Sequence, residues 1–400
     1  MSNDARIIFH IDMNAFFAAV EELDHPEYRG QPIIVGGDPD GRGVVSTASY
    51  AARQWGIHSG MPVARARALC PQVIILPVNM ERYRAVSSQL MAYFRTLTPL
   101  VEPFSIDEAY LDMTGLAQSW EHAIAWAKTI KRDIKARFGL TTSVGIGPNK
   151  LLAKMASGME KPDGLVVLRY QDLPAKLWPL PVDELFGIGL ATAVTLRKIG
   201  LATIGDLAQA PVDFLTRRFG SYGAKLVAWA NGRDTDLVLS ERERPESIGR
   251  ETTFRTDLHD PDALFGHLLW LSDAVCTRLR QERMLCRTVT VKLRFADFRT
   301  ITRAHTLINA TDVTGQIHRA AKRLLQEHWQ GSPVRLLGVT LSGLQEKSAG
   351  RQMAFFPDPQ DKQDIRLDKA LDNVRERCGS DAIWRARYLL TGSRGKGEDK

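Results

Sequence analysis

Phe104-Ser105-Ile106-Asp107-Glu108-Ala109-Tyr110-Leu111-Asp112 sets two adjacent carboxylates inside an apolar run. An earlier run, Ile7-Ile8-Phe9-His10-Ile11-Asp12-Met13, ends in another acid. Both read as buried strands. Burying an ionised carboxylate is costly unless something cationic compensates it. Three acids delivered by two such strands form a plausible cage for divalent cations, whose preference for hard oxygen ligands suits Mg²⁺. For Asp107 and Glu108 alone, capping a turn between strands is the preferred reading; the two runs together, with the basic residues below, favour a metal site.

Working outward, Ala15 to Leu23 reads as a helix behind the first strand. Helical periodicity returns over Glu81 to Phe94, ahead of the acid-bearing run, and over Glu121 to Phe138, ahead of the apolar Thr142 to Ile146. Strands alternating with long helices indicate an α/β core. The glycine-rich stretch Gly36 to Gly43 reads as a tight turn, because no Gly-Lys-Ser/Thr follows to make a phosphate loop.

Near Pro174 the composition changes. Leu185-Phe186-Gly187-Ile188-Gly189, followed by a helix up to Gly200, has the pattern of a helix-hairpin-helix. Gly187 and Gly189 would permit a turn whose backbone N–H groups hold a phosphate. A looser second copy lies at Phe219 to Lys225, and an ordinary αα-corner is the plainer reading of either alone. Residues 233–246 look like a charged interdomain linker. From Ser247 to Leu344 the pattern is strand, helix, two strands, helix, strand. Within it Val289, Val291, Leu293 and Phe295 alternate with Thr290, Lys292 and Arg294, so one sheet face is apolar and the other basic. A basic face suits a nucleic-acid backbone, with a merely solvated face as the alternative. Beyond Gly350, Gln352-Met353-Ala354-Phe355-Phe356 resembles a docking peptide with apolar anchors. Arg366 to Arg377 could form a short amphipathic helix, and the last nine residues read as disordered.

Composition agrees with this plan. A chain of 400 residues exceeds one ordinary core, so roughly two to four domains are expected. It is 44% hydrophobic and 25% charged, as soluble globular chains are. The net charge of +7 and pI near 9.2 favour a polyanionic partner over a metabolite pocket. Cys70, Cys276, Cys286 and Cys378 are scattered with no C-x-x-C pair, which argues against a zinc ribbon or disulfide framework and suits a reducing compartment. No apolar run approaches the ~20 residues that span a bilayer. With no signal-peptide pattern at the N-terminus, a cytoplasmic protein is expected.

Taken in order, four blocks make the chain resemble the Y-family DNA polymerases: His10 to Glu21; Ser46 to Arg53; Ser105 to Asp112; and Lys150-Leu151-Leu152-Ala153-Lys154 with Lys161-Pro162-Asp163-Gly164. The resemblance runs from about Arg6 to Leu344, with a recognisable tail beyond. It implies an α/β and α+β multidomain right-hand polymerase. The palm would comprise 1–25 and 80–170, small fingers 26–79, and a helix-hairpin-helix thumb 171–233. A linker over 234–246, a βαββαβ little finger over 247–345 and a tail over 346–400 would follow.

The activity implied is template-directed, error-prone addition of deoxynucleotides to a primer 3′-hydroxyl by two-metal phosphoryl transfer. The implied fold leaves no room for a proofreading exonuclease. By resemblance, Asp12 and Asp107 bridge two Mg²⁺ ions (Mn²⁺ as a substitute), Glu108 completes one site and the Met13 carbonyl the other. Asp112 would be structural. Tyr50, Arg53 and Lys161 would contact the triphosphate, and Phe17 would be a steric gate against ribose. Gly187, Gly189, Lys292 and Arg294 would contact primer-template DNA. Gln352, Met353, Phe355 and Phe356 match a sliding-clamp peptide in which two leucines are replaced. The family often has an acid where Asn14 stands. A monomer recruited by the clamp is expected. The rival reading is a non-catalytic, clamp-binding adaptor, which should lack one or more of the carboxylates present here.

Overall fold

The apolar run at the N-terminus becomes β1 (Ile8–Met13), every residue of which is buried. α1 (Phe16–Asp24) follows. In this computed structural model, which describes residues 6–240, 244–347, 359–379 and 382–386, β1 is the middle strand of a five-stranded sheet. A strand covered on both faces is expected to be largely apolar rather than alternating, and in β1 only His10 and Asp12 break the apolar run. The described residues up to 240, apart from 40–42, form an N-terminal unit, and those from 244 onward a C-terminal unit.

A small three-stranded sheet comes next in the N-terminal unit: β2 (Ile33–Gly36), β3 (Val45–Ala48) and β4 (Ile74–Leu76), ordered β3-β2-β4. Two short helices, α2 (Tyr50–Arg53) and α3 (Val63–Leu69), pack with it around Ile34, Val45, Ile57 and Val63. The long α4 (Met80–Leu97) leads into β5 (Val101–Pro103) and β6 (Glu108–Asp112). Then α5 (Trp120–Phe138), capped by the Ser119 hydroxyl and ended by Gly139 in the left-handed region, leads into β7 (Thr142–Gly147). α6 (Lys150–Met159) and β8 (Leu165–Val167) complete the main sheet, ordered β5-β6-β1-β7-β8. Only β7 and β8 run parallel within it. Phe9, Ile11, Phe16, Leu90, Leu111, Ile130 and Val144 share its core.

Five helices follow: α7 (Leu173–Lys176), α8 (Leu190–Lys198), α9 (Ile204–Gln209), α10 (Val212–Phe219) and α11 (Ser221–Ala230). They close over Leu196, Leu207, Leu215 and Leu226, as the hairpin pattern predicts. The linker expectation needs correcting in its first half. Leu151 N–H donates to Asp234 Oδ2 (3.2 Å), Leu239 N–H donates to Glu102 Oε2 (3.0 Å), and Val238 is buried. Residues 234–239 are thus fastened to the N-terminal unit.

The C-terminal unit has the expected order: β9 (Ser247–Leu258), α12 (Pro261–Gln281), β10 (Met284–Phe295), β11 (Thr300–Thr311), α13 (Thr314–His328) and β12 (Val334–Ser342). The sheet is antiparallel, ordered β11-β10-β12-β9, and a short β13 (Gln345–Glu346) pairs with the start of β10. Val289, Val291, Leu293 and Phe295 are buried against α12 and α13, so the alternation read in β10 holds.

The tail helix differs from expectation in length and kind. α14 (Pro359–Cys378) spans 20 residues. Leu371 is buried, but its inward face is mainly acidic: Asp361, Asp364, Asp368 and Asp372 recur at helical spacing and are buried or half-buried. Arg280 grips both oxygens of Asp372 (2.5 and 2.9 Å), and Arg319 reaches Asp361 and Asp364 (2.8 and 2.9 Å). Asp368 accepts the N–H of Thr314 (2.8 Å) at the start of α13, where the helix dipole favours an anion. Arg375 and Arg385 both meet Asp273 on α12, and Arg385 also meets Asp368. Asp364 lies so close to Gly315 that a Cβ there would stand 1.9 Å from its Oδ2.

Candidate active site

Strand register brings the acids together. Asp12 on β1 is paired with Glu108 on β6, and Met13 N–H donates to the Asp107 carbonyl (3.0 Å). The opposite neighbour of Asp12 is Ser143 on β7. Register thus sets the Asp12 and Glu108 carboxyl groups side by side. Asp107 turns aside: its Oδ1 accepts the Ser105 hydroxyl at 2.6 Å. Asp112, at the far end of β6, accepts Thr114 N–H (2.9 Å), in keeping with a structural role.

Lys154 and His10 also belong to this cluster. Their motifs are plain in the sequence, but their positions against Glu108 are not. Lys154 on α6 places its ammonium 2.6 Å from Glu108 Oε2 and 3.9 Å from Asp12 Oδ2. Lys161 places its own 2.6 Å from Asp12 Oδ2. Fully buried His10 shares a hydrogen bond with the Ser157 hydroxyl (2.7 Å) and stands 3.5 Å from Glu108. Burial pushes the His10 imidazole down to about 4, so it is neutral near pH 7. Burial pushes Asp12 up to about 7; Lys161 pulls the other way and the neighbouring Glu108 carboxyl adds to the rise. Burial would also raise Glu108, but its polar neighbours His10 and Asp12 and the Lys154 ammonium outweigh it and hold Glu108 below the usual range. Asp107 is raised by burial, against the Ser105 bond.

The loop that carries Lys161 is fastened from two sides. Lys131 donates to the carbonyls of Thr142 (3.0 Å) and Gly164 (2.9 Å) and pairs with the Asp163 carboxylate. Asn14 Oδ1 accepts the Asp163 N–H (2.8 Å) while its amide donates to Ser143 (2.9 Å). Asn14 thus serves as a loop fastener. Tyr50 and Arg53 share a face of α2 as expected, with the guanidinium 4.7 Å from the ring centroid. The Tyr50 hydroxyl is buried without a hydrogen-bond partner among the described residues. Of the paired aromatics, Phe16 is core, whereas Phe17 is only half-buried and stacks on Tyr83 (centroids 4.2 Å apart). Tyr83 in turn donates to Glu21 (2.5 Å), so the Phe17 ring has a braced backing.

The remaining candidates lie away from the acids. Gly187 has φ +92°, and a side chain there would strike Trp229, so glycine is required; Gly189 is the N-cap of α8 with ordinary backbone angles. Lys292 is paired with Glu251 across the sheet (2.7 Å), and Arg294 donates to Thr300 (3.0 Å). The basic face is therefore partly neutralised, which the strand pattern alone did not reveal. Gln352, Met353, Phe355 and Phe356 lie outside the described residues.

Comparison with known proteins shows the family. Residues 11–158 match the impB/mucB/samB family and residues 245–355 its C-terminal domain. DNA polymerase IV of Methanoculleus marisnigri is 45% identical over 348 residues, covering 86% of this chain and 96% of the relative. The chain belongs to the Y-family DNA polymerases. DNA polymerase IV 1 of Bacillus subtilis (strain 168) is 40% identical, covering 97% of this chain and 94% of the relative. Among solved structures, the Y-family DNA polymerase chimera Dbh-Dpo4(243-245)-Dbh superposes with TM-score 0.76 at 28% identity, covering 85% of this chain and 99% of that one. DinB from Sulfolobus solfataricus gives 0.57 at 28% identity, with 84% and 98% covered.

Y-family polymerases depend on divalent metals, and the donor set fits that requirement in its chemistry. Asp12, Asp107 and Glu108 offer only hard oxygen atoms, and two of them crowd together against their own repulsion, held by ammonium groups. Among the described residues, however, no three Asp, Glu, His or Cys side chains are gathered into a ready cluster. Asp107 is held by Ser105 while the lysines hold the other two acids.

Proposed function

We propose that Asp12, Asp107 and Glu108, with the Met13 carbonyl, are the metal-holding groups of a DNA-directed DNA polymerase of the translesion class. The chain is a nucleotidyltransferase by family. The single observation that carries the residue assignment is the register that sets Asp12 against Glu108, one residue from Asp107, at the ends of two central strands. Two Mg²⁺ ions, or Mn²⁺ in their place, would lower the pKa of the primer 3′-hydroxyl and neutralise charge on the triphosphate.

The chain's own residues do the rest. Arg53 and Lys161 supply the positive charge that a pyrophosphate leaving group needs, and the unpartnered Tyr50 hydroxyl can donate to a phosphate oxygen. Phe17, braced by Tyr83, would lie beneath the sugar and collide with a 2′-hydroxyl. The Gly187–Gly189 turn, and Lys292 with Arg294, would meet the backbone of primer-template DNA. The 352–356 peptide would bind the replication clamp, with the enzyme acting as a monomer in the cytoplasm; no described helix is long and apolar enough to cross a membrane.

Primer extension with Mg²⁺ and single deoxynucleotides tests this. Asp107→Ala should lose activity by at least about a thousandfold, and the intact chain should extend as the template directs. Tight primer binding with no extension by the intact chain would instead favour an adaptor.

A further inference from the structure

Lys131, Lys150, Lys154 and Lys161 of the N-terminal unit make polar contacts near the main sheet, and they fall into two kinds. Lys131 donates to the carbonyls of Thr142, Asp163 and Gly164, and Lys150 reaches both oxygens of Glu102 (2.7 and 2.8 Å) with the Leu237 carbonyl beyond. These are joints, each tying together segments distant in sequence. Among the described residues, the ammonium groups of Lys154 and Lys161 make polar contacts only with the acids of the candidate metal site. Both side chains keep some access to water, 18% and 32%.

We propose that Lys154 and Lys161 are stand-in cations, which hold Glu108 and Asp12 in the metal-free protein and are exchanged for divalent metal when a deoxynucleoside triphosphate arrives. The proposal rests on the metal reading above. Two carboxylates, Glu108 and Asp12, facing two ammonium groups balance in charge, so the pair can remain crowded without metal. An ammonium is a compact charge on a flexible stem, able to swing off an oxygen without dismantling a fork of hydrogen bonds. An arriving triphosphate competes with Asp12 for Lys161. Withdrawing that ammonium bares an Asp12 oxygen, so triphosphate and metal bind cooperatively, each tightening the other by the same factor. Lys154, which touches Glu108 and approaches Asp12, sets how weakly the nucleotide-free protein holds metal.

The test is Mn²⁺ titration of the full-length chain without DNA, following free Mn²⁺ by electron paramagnetic resonance. Lys154→Gln should bind Mn²⁺ about tenfold more tightly than wild type, and Lys161→Gln should shift the same way. Lys154→Arg, which keeps the charge, should stay within about twofold of wild type. Lys150→Gln is the control for general charge removal and should leave the affinity unchanged. Adding a non-hydrolysable deoxynucleoside triphosphate should tighten Mn²⁺ binding in wild type more than in Lys161→Gln. The proposal is overturned if both glutamine variants bind Mn²⁺ no more tightly than wild type, or if Lys150→Gln gains as much as Lys154→Gln. Asp12→Asn separates the two layers. If it binds Mn²⁺ like wild type, the metal assignment itself fails; if it loses binding while the lysine variants change nothing, only the exchange fails.

Discussion

In the N-terminal unit Asp12 and Glu108 face the ammonium groups of Lys161 and Lys154, whereas in the C-terminal unit Asp273, Asp364, Asp368 and Asp372 face the guanidinium groups of Arg280, Arg319, Arg375 and Arg385. Both regions bury carboxylates against cations, but the hardware differs. Arg280 makes contacts with Asp372, Asp368, the Asp312 carbonyl and the Thr314 hydroxyl at once. No single donor can leave without stranding others. The lysines each hold a carboxylate by one short contact. A planar fork fixes geometry, while a point charge on a long stem merely supplies charge. The first arrangement suits a permanent joint and the second a site that must be vacated.

Three experiments would break or sharpen that contrast. Arg280→Ala should cost the C-terminal unit about 3–5 kcal/mol, because removing one partner strands buried acids; urea unfolding followed by Trp270 and Trp384 fluorescence reads it. A loss under 1 kcal/mol or so would make the arginine network as dispensable as a surface pair.

Next in size is the response to acid. His267 on α12 is buried, and burial lowers its imidazole to about 4 from an ordinary 6.5. Its folded value lies below its unfolded one, so its contribution is whole above pH 6.5 and is lost as pH falls towards 4. The loss has an upper bound of about 3 kcal/mol. Melting temperatures of wild type and His267→Gln, compared between pH 7 and pH 4.5, would converge at the acid end if the sign is right.

The smallest effect is expected at the exchangeable site. Lys161→Ala should change stability by about 1 kcal/mol or less in metal-free buffer, since the pair is partly solvated and Asp12 can take up a proton instead. A calorimetric loss as large as that of Arg280→Ala would erase the distinction between the two regions.

Much of the plan was legible because it is carried by local pattern. The apolar run ending at Asp12, the alternation in β10 and the glycines at 187 and 189 each declare their element within a few residues. What remained hidden depends on residues far apart in the chain. Lys154 lies 46 positions from Glu108, and nothing in α6 alone says which acid its ammonium meets. The partnership of Lys292 with Glu251 is a property of strand order, β10 reaching β9 only through β12. The acidic face of α14 has helical spacing, but charges at helical spacing usually mark a solvated surface. Arg280, Arg319 and the start of α13, all distant in sequence, turn that face inward. Gly315 was equally silent, since its role is to leave room for Asp364.

The cysteines, scattered and unpaired, have a practical meaning once α14 is in place. Cys70, Cys276 and Cys286 are buried, while Cys378 is exposed in the last turn of α14. A maleimide dye offered to the native, unmodified chain would therefore attach at one defined spot, on the helix held by the arginine network. The protein carries its own attachment point for fluorescence polarisation, and the tumbling of that dye would report whether the helix stays seated while the polymerase works.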